Sequence, residues 1–270
     1  MKLSQFLLLS LCITIFACSS DSDNNPNENE NQNNNNTVLL KKSIETDIDG
    51  DVYTTSYEYN GNKLTSVNRD DEFITTFLYS DDKIIRINNT VDGELMEYFT
   101  LEYDANDKLK SYKQFLFDIA DLGDIAYEHI LTFNTNNSIN LAVFSGDFNS
   151  QTEFRNNLIL NLDDNGNIIK ETIDDSDDTL DLEFDDKNGV FKNISQISTI
   201  NIVTTGSEYS PDFFGNTNNV TKRNDNQGNS FFVFIETFDY IYNDKDYPVS
   251  AKYNSDNNGT KDESTIEYIY

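Results

Sequence analysis

A short pattern returns along this chain. An alternation of apolar or aromatic residues ends in Tyr, Phe or Leu, a brief turn of Asn, Asp or Gly follows, and an aliphatic residue opens a return segment. Tyr57-Glu58-Tyr59 precedes Asn60-Gly61-Asn62 and Lys63-Leu64, and Phe77-Leu78-Tyr79 precedes Ser80-Asp81-Asp82 and Lys83-Ile84. Leu101-Glu102-Tyr103 stands before Lys108-Leu109, Leu131-Thr132-Phe133 before Ile139, and Leu160-Asn161-Leu162 before Ile168. Leu182-Glu183-Phe184 and Tyr240-Ile241-Tyr242 continue the series. A period of two with β-branched and aromatic residues marks strands, and Asn-Gly or Asp-rich pairs between them mark tight antiparallel turns. With only three prolines in the chain and no sustained helical period, the pattern predicts an all-β antiparallel meander of β-hairpin repeats over residues 37–270.

The same residues resemble the YD or RHS-type repeats of bacterial surface proteins. More closely, they resemble a family of bacterial lipoproteins described as a domain of unknown function with a porin-like fold. In that family a segment like Phe184-Asp185-Asp186-Lys187-Asn188 is followed by an irregular insertion, after which an Asn-Asn-Val segment resumes the sheet; here that segment is Asn218-Asn219-Val220-Thr221-Lys222. The chain departs from the pattern at Gly189, where the family often carries proline. The resemblance implies a curled sheet or a porin-like barrel and implies no activity.

A porin-like fold need not span a membrane. The segment Ser264-Thr265-Ile266-Glu267-Tyr268-Ile269-Tyr270 resembles the closing strand of outer-membrane barrels. A lipid-facing barrel, however, needs an uninterrupted apolar outer belt, and Arg86, Glu97, Lys113, Glu128 and Glu153 fall in or beside strand-like segments of both parities. The expectation is a soluble sheet or barrel.

The first 36 residues are of another kind. Lys2 supplies a positive charge and Phe6 to Phe16 an apolar run, shorter than the roughly 20 residues a spanning helix needs. Ile15-Phe16-Ala17-Cys18 resembles the lipobox of bacterial lipoproteins, so residues 1–17 read as a lipoprotein signal peptide and Cys18 as the lipidation site. Processing would remove Cys12 and acylate Cys18, which leaves no thiol for disulfides, metal binding or nucleophilic catalysis. The lipoprotein resemblance implies more than one acyl chain, palmitate among them, on that cysteine. Residues 18–36, filled with Ser, Asp, Asn, Glu and Gln, cannot bury enough surface to offset their ordering entropy and read as a disordered tether. Ser19 directly after the cysteine resembles lipoproteins sent to the outer membrane, and the acids at Asp21 and Asp23 resemble a surface-export signal. The expected location is the outer membrane, lipid-anchored, on the cell surface or the periplasmic face.

A net charge of −29, from 48 acidic and 19 basic residues, excludes nucleic acid as a partner and disfavours anionic lipid headgroups. The single histidine, His129, shares strand parity with Tyr127 and Leu131 and reads as a packed, hydrogen-bonded residue; one histidine cannot build a histidine-rich zinc site. No catalytic residue, metal ligand or cofactor is assigned. Asp47-Ile48-Asp49-Gly50-Asp51 and Asp163-Asp164-Asn165-Gly166-Asn167 carry the oxygens of calcium loops, yet both fit hairpin turns. The expected function is a binding or structural module with an undetermined glycan or protein ligand. Its alternatives are a carboxylate-dependent hydrolase and a calcium-stabilised scaffold. Fifteen tyrosines and nineteen phenylalanines could stack sugars or peptides, although tryptophan is absent. Any ligand is expected at the irregular stretch from about Ser195 to Ser230. There Tyr209, Phe213 and Phe214 surround Pro211, and Ser210 could cap a turn begun by that proline. The competing role for that turn is a plug of the sheet's open end.

Overall fold

The computed structural model describes residues 37–70, 72–119, 123–205, 207, 209–211, 217–228 and 233–270. Its first strands are β1 (Lys42–Asp47), β2 (Val52–Asn60), β3 (Lys63–Arg69), β4 (Phe73–Ser80), β5 (Lys83–Val91) and β6 (Glu94–Tyr103). They are followed by β7 (Leu109–Ile119), β8 (Gly123–Phe133), β9 (Ser138–Asp147), β10 (Ser150–Leu162), β11 (Ile168–Ile173) and β12 (Asp178–Phe184). After one helix, α1 (Ile197–Thr204), come β13 (Val220–Gln227), β14 (Val233–Tyr242), β15 (Pro248–Asn257) and β16 (Thr260–Ile269). Every strand pairs antiparallel with its sequence neighbours, and β16 returns to pair with β1, Lys42 opposite Ile269 and Asp47 opposite Ser264. The meander is therefore a closed sixteen-stranded barrel.

The turns form because their residues tolerate left-handed backbone. Gly61 adopts φ 64°, and Asp81, Asp107, Asn137 and Asp246 adopt φ of 54°, 65°, 56° and 59°. In the longer turns a leading Asp or Asn carboxyl or amide oxygen accepts two backbone N–H groups. Asp104 binds Asn106 and Lys108 at 2.8 and 2.9 Å, and Asn243 binds Lys245 and Tyr247 at 2.9 and 3.1 Å. The tyrosine that ends the outgoing strand has a fixed task. Tyr79 donates its hydroxyl to the Leu64 carbonyl (2.9 Å) and Tyr103 to the Ile84 carbonyl (2.8 Å), each acceptor being the aliphatic residue that opened the preceding return strand. Tyr59 bonds Leu40 and Tyr240 bonds Val220 in the same way, at 2.7 and 2.9 Å. The lysine after each early turn then lies over the next ring, Lys63 over Tyr79 and Lys83 over Tyr103, at 5.5 and 5.6 Å. Where the repeat ends in tyrosine, its hairpin is thus bonded to a neighbouring one.

Strand alternation divides the wall into two faces. Leu64, Ile84, Ile87, Phe99, Leu141 and Leu160 point inward and are buried to within 1% of complete. Outward positions carry ion pairs between neighbouring strands: Lys113 with Glu128, Lys170 with Asp181, Lys222 with Glu183, and Lys252 with Glu263. Arg86 also faces outward, over the Tyr98 ring at 4.0 Å. Glu97 is the exception among the strand charges singled out from the sequence, because it is inward and fully buried.

Between β12 and β13 the chain leaves the wall and packs inside it. The expectation of an irregular stretch from about Ser195 to Ser230 is corrected at both ends, to residues 185–219. Asp185 looks like the start of another hairpin turn, but its carboxylate and backbone are bonded to Asn219, which closes the base of the insertion. Asn218 bonds the Lys187 carbonyl and accepts from Asn167, so the insertion is stapled to the β10–β11 turn as well.

The helix α1 was not expected, for its sequence Ile-Ser-Thr-Ile-Asn-Ile-Val-Thr is rich in β-branched residues. No side chain caps its N-terminus, and it has no acid in its first turn and no base in its last. What holds it is burial: Ile197, Ile200, Ile202 and Val203 join the inward side chains of the wall in one apolar cluster. Ile200→Ala is expected to cost about 2–5 kcal/mol of unfolding free energy, and Ile241→Ala, on the outward face, less than about 0.5, as measured by urea unfolding followed through tyrosine fluorescence.

Candidate functional site

The described part of the inserted segment does not fill the lumen. A cavity of about 500 Å³ remains between it and the wall formed by β1–β4 and β13–β16. Val190, Phe191, Tyr209, Ser210 and Pro211 line it from the insertion. From the wall, Tyr57, Phe73, Phe238, Tyr240 and Tyr268 contribute rings, and Glu45, Arg69, Arg223 and Glu236 contribute charge. Its buried residues, among them Leu40, Phe191 and Val220, lie toward the end of the barrel that carries the tyrosine-led turns. Its exposed residues, Tyr53 and Arg69, lie toward the opposite end, near the β1–β2 and β3–β4 connections.

The charges in this space are arranged unequally. Arg223 donates to Glu236 at 2.9 Å and Tyr253 donates to the other oxygen of the same carboxylate at 2.6 Å. Ser264 donates to Glu45 at 2.8 Å. Both carboxylates are therefore held by protein donors. Burial first, then the neighbouring Glu236, pushes the Tyr253 phenol well above its ordinary value, so it stays a donor. Burial likewise pushes Tyr57 up to about 12, beside the Ser43 hydroxyl. Arg69 differs from Arg223: its contact is the Tyr53 ring at 5.7 Å, and it has no carboxylate partner among the described residues.

The insertion is fixed to the wall next to the cavity by a polar cluster. Glu97 accepts from Asn89 (2.6 Å), from Gln114 (2.6 Å) and from the Ser207 hydroxyl. Asn89 also donates to Ser210 at 2.8 Å and accepts from Thr75 at 2.8 Å. A charge buried among donors is costly to leave unpaired, so this cluster selects one placement of the segment that carries Tyr209, Ser210 and Pro211.

Of the ligand residues expected from sequence, Tyr209 lines the cavity. Phe213 and Phe214 lie outside the described residues, as does the lipidation residue Cys18. Ser210 accepts from Asn89, and the turn it was expected to cap lies outside the described residues. Asp47 and Asp163 turn their carboxylates to their own hairpins: Asp47 binds the amides of Asp49 and Asp51 at 3.0 and 2.9 Å, and Asp163 those of Asn165 and Asn167 at 2.9 and 2.8 Å.

His129 is packed as expected, stacked on Tyr112 with ring centroids 4.3 Å apart. The expected hydrogen bond is corrected, for both ring nitrogens are buried without a partner among the described residues. On β7 and β9 its cross-strand neighbours are Tyr112 and Val143, and neither offers a group at the ring edge. Sequence reading passed over Glu45, Arg69, Tyr57, Arg223, Glu236 and Tyr268. Their signal was inward parity, which can be counted only once the register is known.

No protein family matches the chain, and no curated protein does. Among solved structures it is similar to a porin-like protein from Bacteroides vulgatus, at 14% identity and a TM-score of 0.53, over 86% of this chain and 98% of that one. A porin-like protein from Bacteroides uniformis aligns at 13% identity and a TM-score of 0.37, over 85% of this chain and 97% of that one. The first likeness supports a porin-like barrel fold.

Burial holds the folded His129 down at about 4, below its ordinary 6.5. The unfolded chain therefore takes up a proton that the folded chain resists, and stability is lost as pH falls from about 6.5 toward 4. His129→Phe is expected to flatten the stability profile in that window. The imidazole proton resonance, unique in this chain, is expected to titrate near 4 by NMR.

Proposed function

We propose that the chain is an outer-membrane lipoprotein whose barrel binds a ligand in its lumen. The observation that carries the binding reading is the cavity of about 500 Å³ beside a clamped insertion. Protein interiors are close-packed, and a space within the range of about 300–1,000 Å³, walled by rings with a few convergent polar groups, is the usual form of a small-molecule site. Tyr209 belongs to this site, and Phe213 and Phe214 follow it in the same inserted segment. The cavity sits inside the barrel rather than on an exposed loop, so the wall supplies most of the site.

In this reading residues 1–17 are the export signal, Cys18 carries the acyl chains, and residues 18–36 tether the barrel at roughly 20–25 Å from the bilayer. The barrel itself stands in water. Outward ion pairs on β7–β8, β11–β12, β12–β13 and β15–β16 support this, because a lipid-facing wall needs an apolar belt at those positions. Membrane attachment then rests on the anchor alone.

Two measurements test the proposal. Cys18→Ser is expected to leave unprocessed precursor and to abolish metabolic labelling with palmitate; normal labelling would overturn the anchor. Residues 37–270 are expected to stay monodisperse by size exclusion without detergent, and recovery only in micelles would overturn the water-facing wall.

A further inference from the structure

We infer that the lumen cavity takes a short saccharide bearing a carboxylate or sulfate group, seated with that group on Arg69. The inference rests on the cavity being the ligand site. Its basis is a row of cross-strand partners on the inner wall. Tyr268 stands opposite Ser43, Ser43 opposite Thr55, and Thr55 opposite Arg69, and all four line the cavity. Neighbouring strands lie about 4.8 Å apart, so the row presents three hydroxyls and then a guanidinium along about 14 Å of wall.

Two of these hydroxyls are not engaged by the described residues. The hydroxyls of Thr55 and Tyr268 have no hydrogen-bond partner among the described residues, whereas Ser43 is hydrogen-bonded to the Tyr57 phenol. Ser43, Thr55 and Tyr268 are half-buried, and hydroxyls that face a cavity are matched by a ligand that carries its own hydroxyls. Charge decides the rest. Arg223 pairs with Glu236, Glu45 accepts from the Ser264 hydroxyl, and Arg69 has no carboxylate partner among the described residues. A guanidinium offers planar paired donors suited to a carboxylate or a sulfate oxygen pair.

Across the space from this row, the insertion contributes Phe191 and Tyr209. A sugar ring has C–H faces and a hydroxyl rim, so it can rest on these rings while its rim meets the row. An acyl chain would strip water from the row and give its hydroxyls no partner in return. A neutral saccharide would use the hydroxyls and leave Arg69 unmatched.

The test uses the chain from Ser19 to Tyr270 and isothermal titration. The probes are uronate-containing, sialylated and sulfated oligosaccharides of two to four units, neutral oligosaccharides of matched length, and palmitate. At least one acidic saccharide is expected to bind about ten-fold or more tightly than its neutral counterpart, and Arg69→Gln to bring the two level. Tyr268→Phe and Thr55→Val are expected to weaken both several-fold while the thermal midpoint holds, which separates lost binding from lost fold. Binding unaffected by Arg69→Gln would overturn the inference. Binding of palmitate with no saccharide would also overturn it and leave the lumen as a ligand site. No binding by any probe would overturn both.

Discussion

A closed sheet of sixteen strands encloses more space than its own side chains can fill. About eight strands suffice to pack a barrel solid, and twice that number leaves a channel unless something enters it. Here the inward face is apolar over much of its length, so an open water-filled lumen would leave Leu64, Ile84, Phe99 and Leu141 wet. The insertion at residues 185–219 resolves the conflict by supplying Phe191, Ile194, Ile197 and Ile200 as an internal core. The helix, the staples at its base and the polar cluster at its far end all follow from the need to fill that lumen.

Apolar burial drives the insertion inward, but it is non-directional and does not say where the segment must stop. Hydrogen bonds do. Asn219 with Asp185 fixes where the segment leaves and rejoins the wall, and Glu97 with Ser207 and Asn89 with Ser210 fix the stretch after the helix. The second set borders the cavity, so the element that closes the core also determines the shape of what is left empty.

Strands were legible where their inward residues are apolar or aromatic, whether these pack the core or line the cavity. Tyr57-Glu58-Tyr59 and Phe77-Leu78-Tyr79 announce β2 and β4 because their inward residues meet apolar neighbours and so alternate. β1, Lys-Ser-Ile-Glu-Thr-Asp, and β13, Val-Thr-Lys-Arg-Asn-Asp-Asn-Gln, show no such alternation. Their inward positions hold Ser43, Glu45 and Arg223, which face the cavity. The strand pattern is thus lost where inward positions are polar and kept where cavity-lining strands such as β2 and β14 turn rings inward. The helix was hidden for the opposite reason: an apolar lumen tolerates any buried conformation that satisfies its own backbone, and it overrode the strand propensity of Ile197–Thr204.

The two ends of the barrel consequently do different work. At one end the tyrosine bonds and the lysine–ring contacts lock successive turns together, and here Lys41 joins Ile269 while Asn193 bonds the Val38 carbonyl. Residues on either side of the β1–β16 seam are thus bonded at the end that carries the tyrosine-led turns. At the other end the connections are short, Tyr53 and Arg69 are exposed, and the cavity meets solvent. The closure that joins β16 to β1 at the turn end thus leaves the exposed part of the cavity lining, among the described residues, at the end that carries Tyr53 and Arg69.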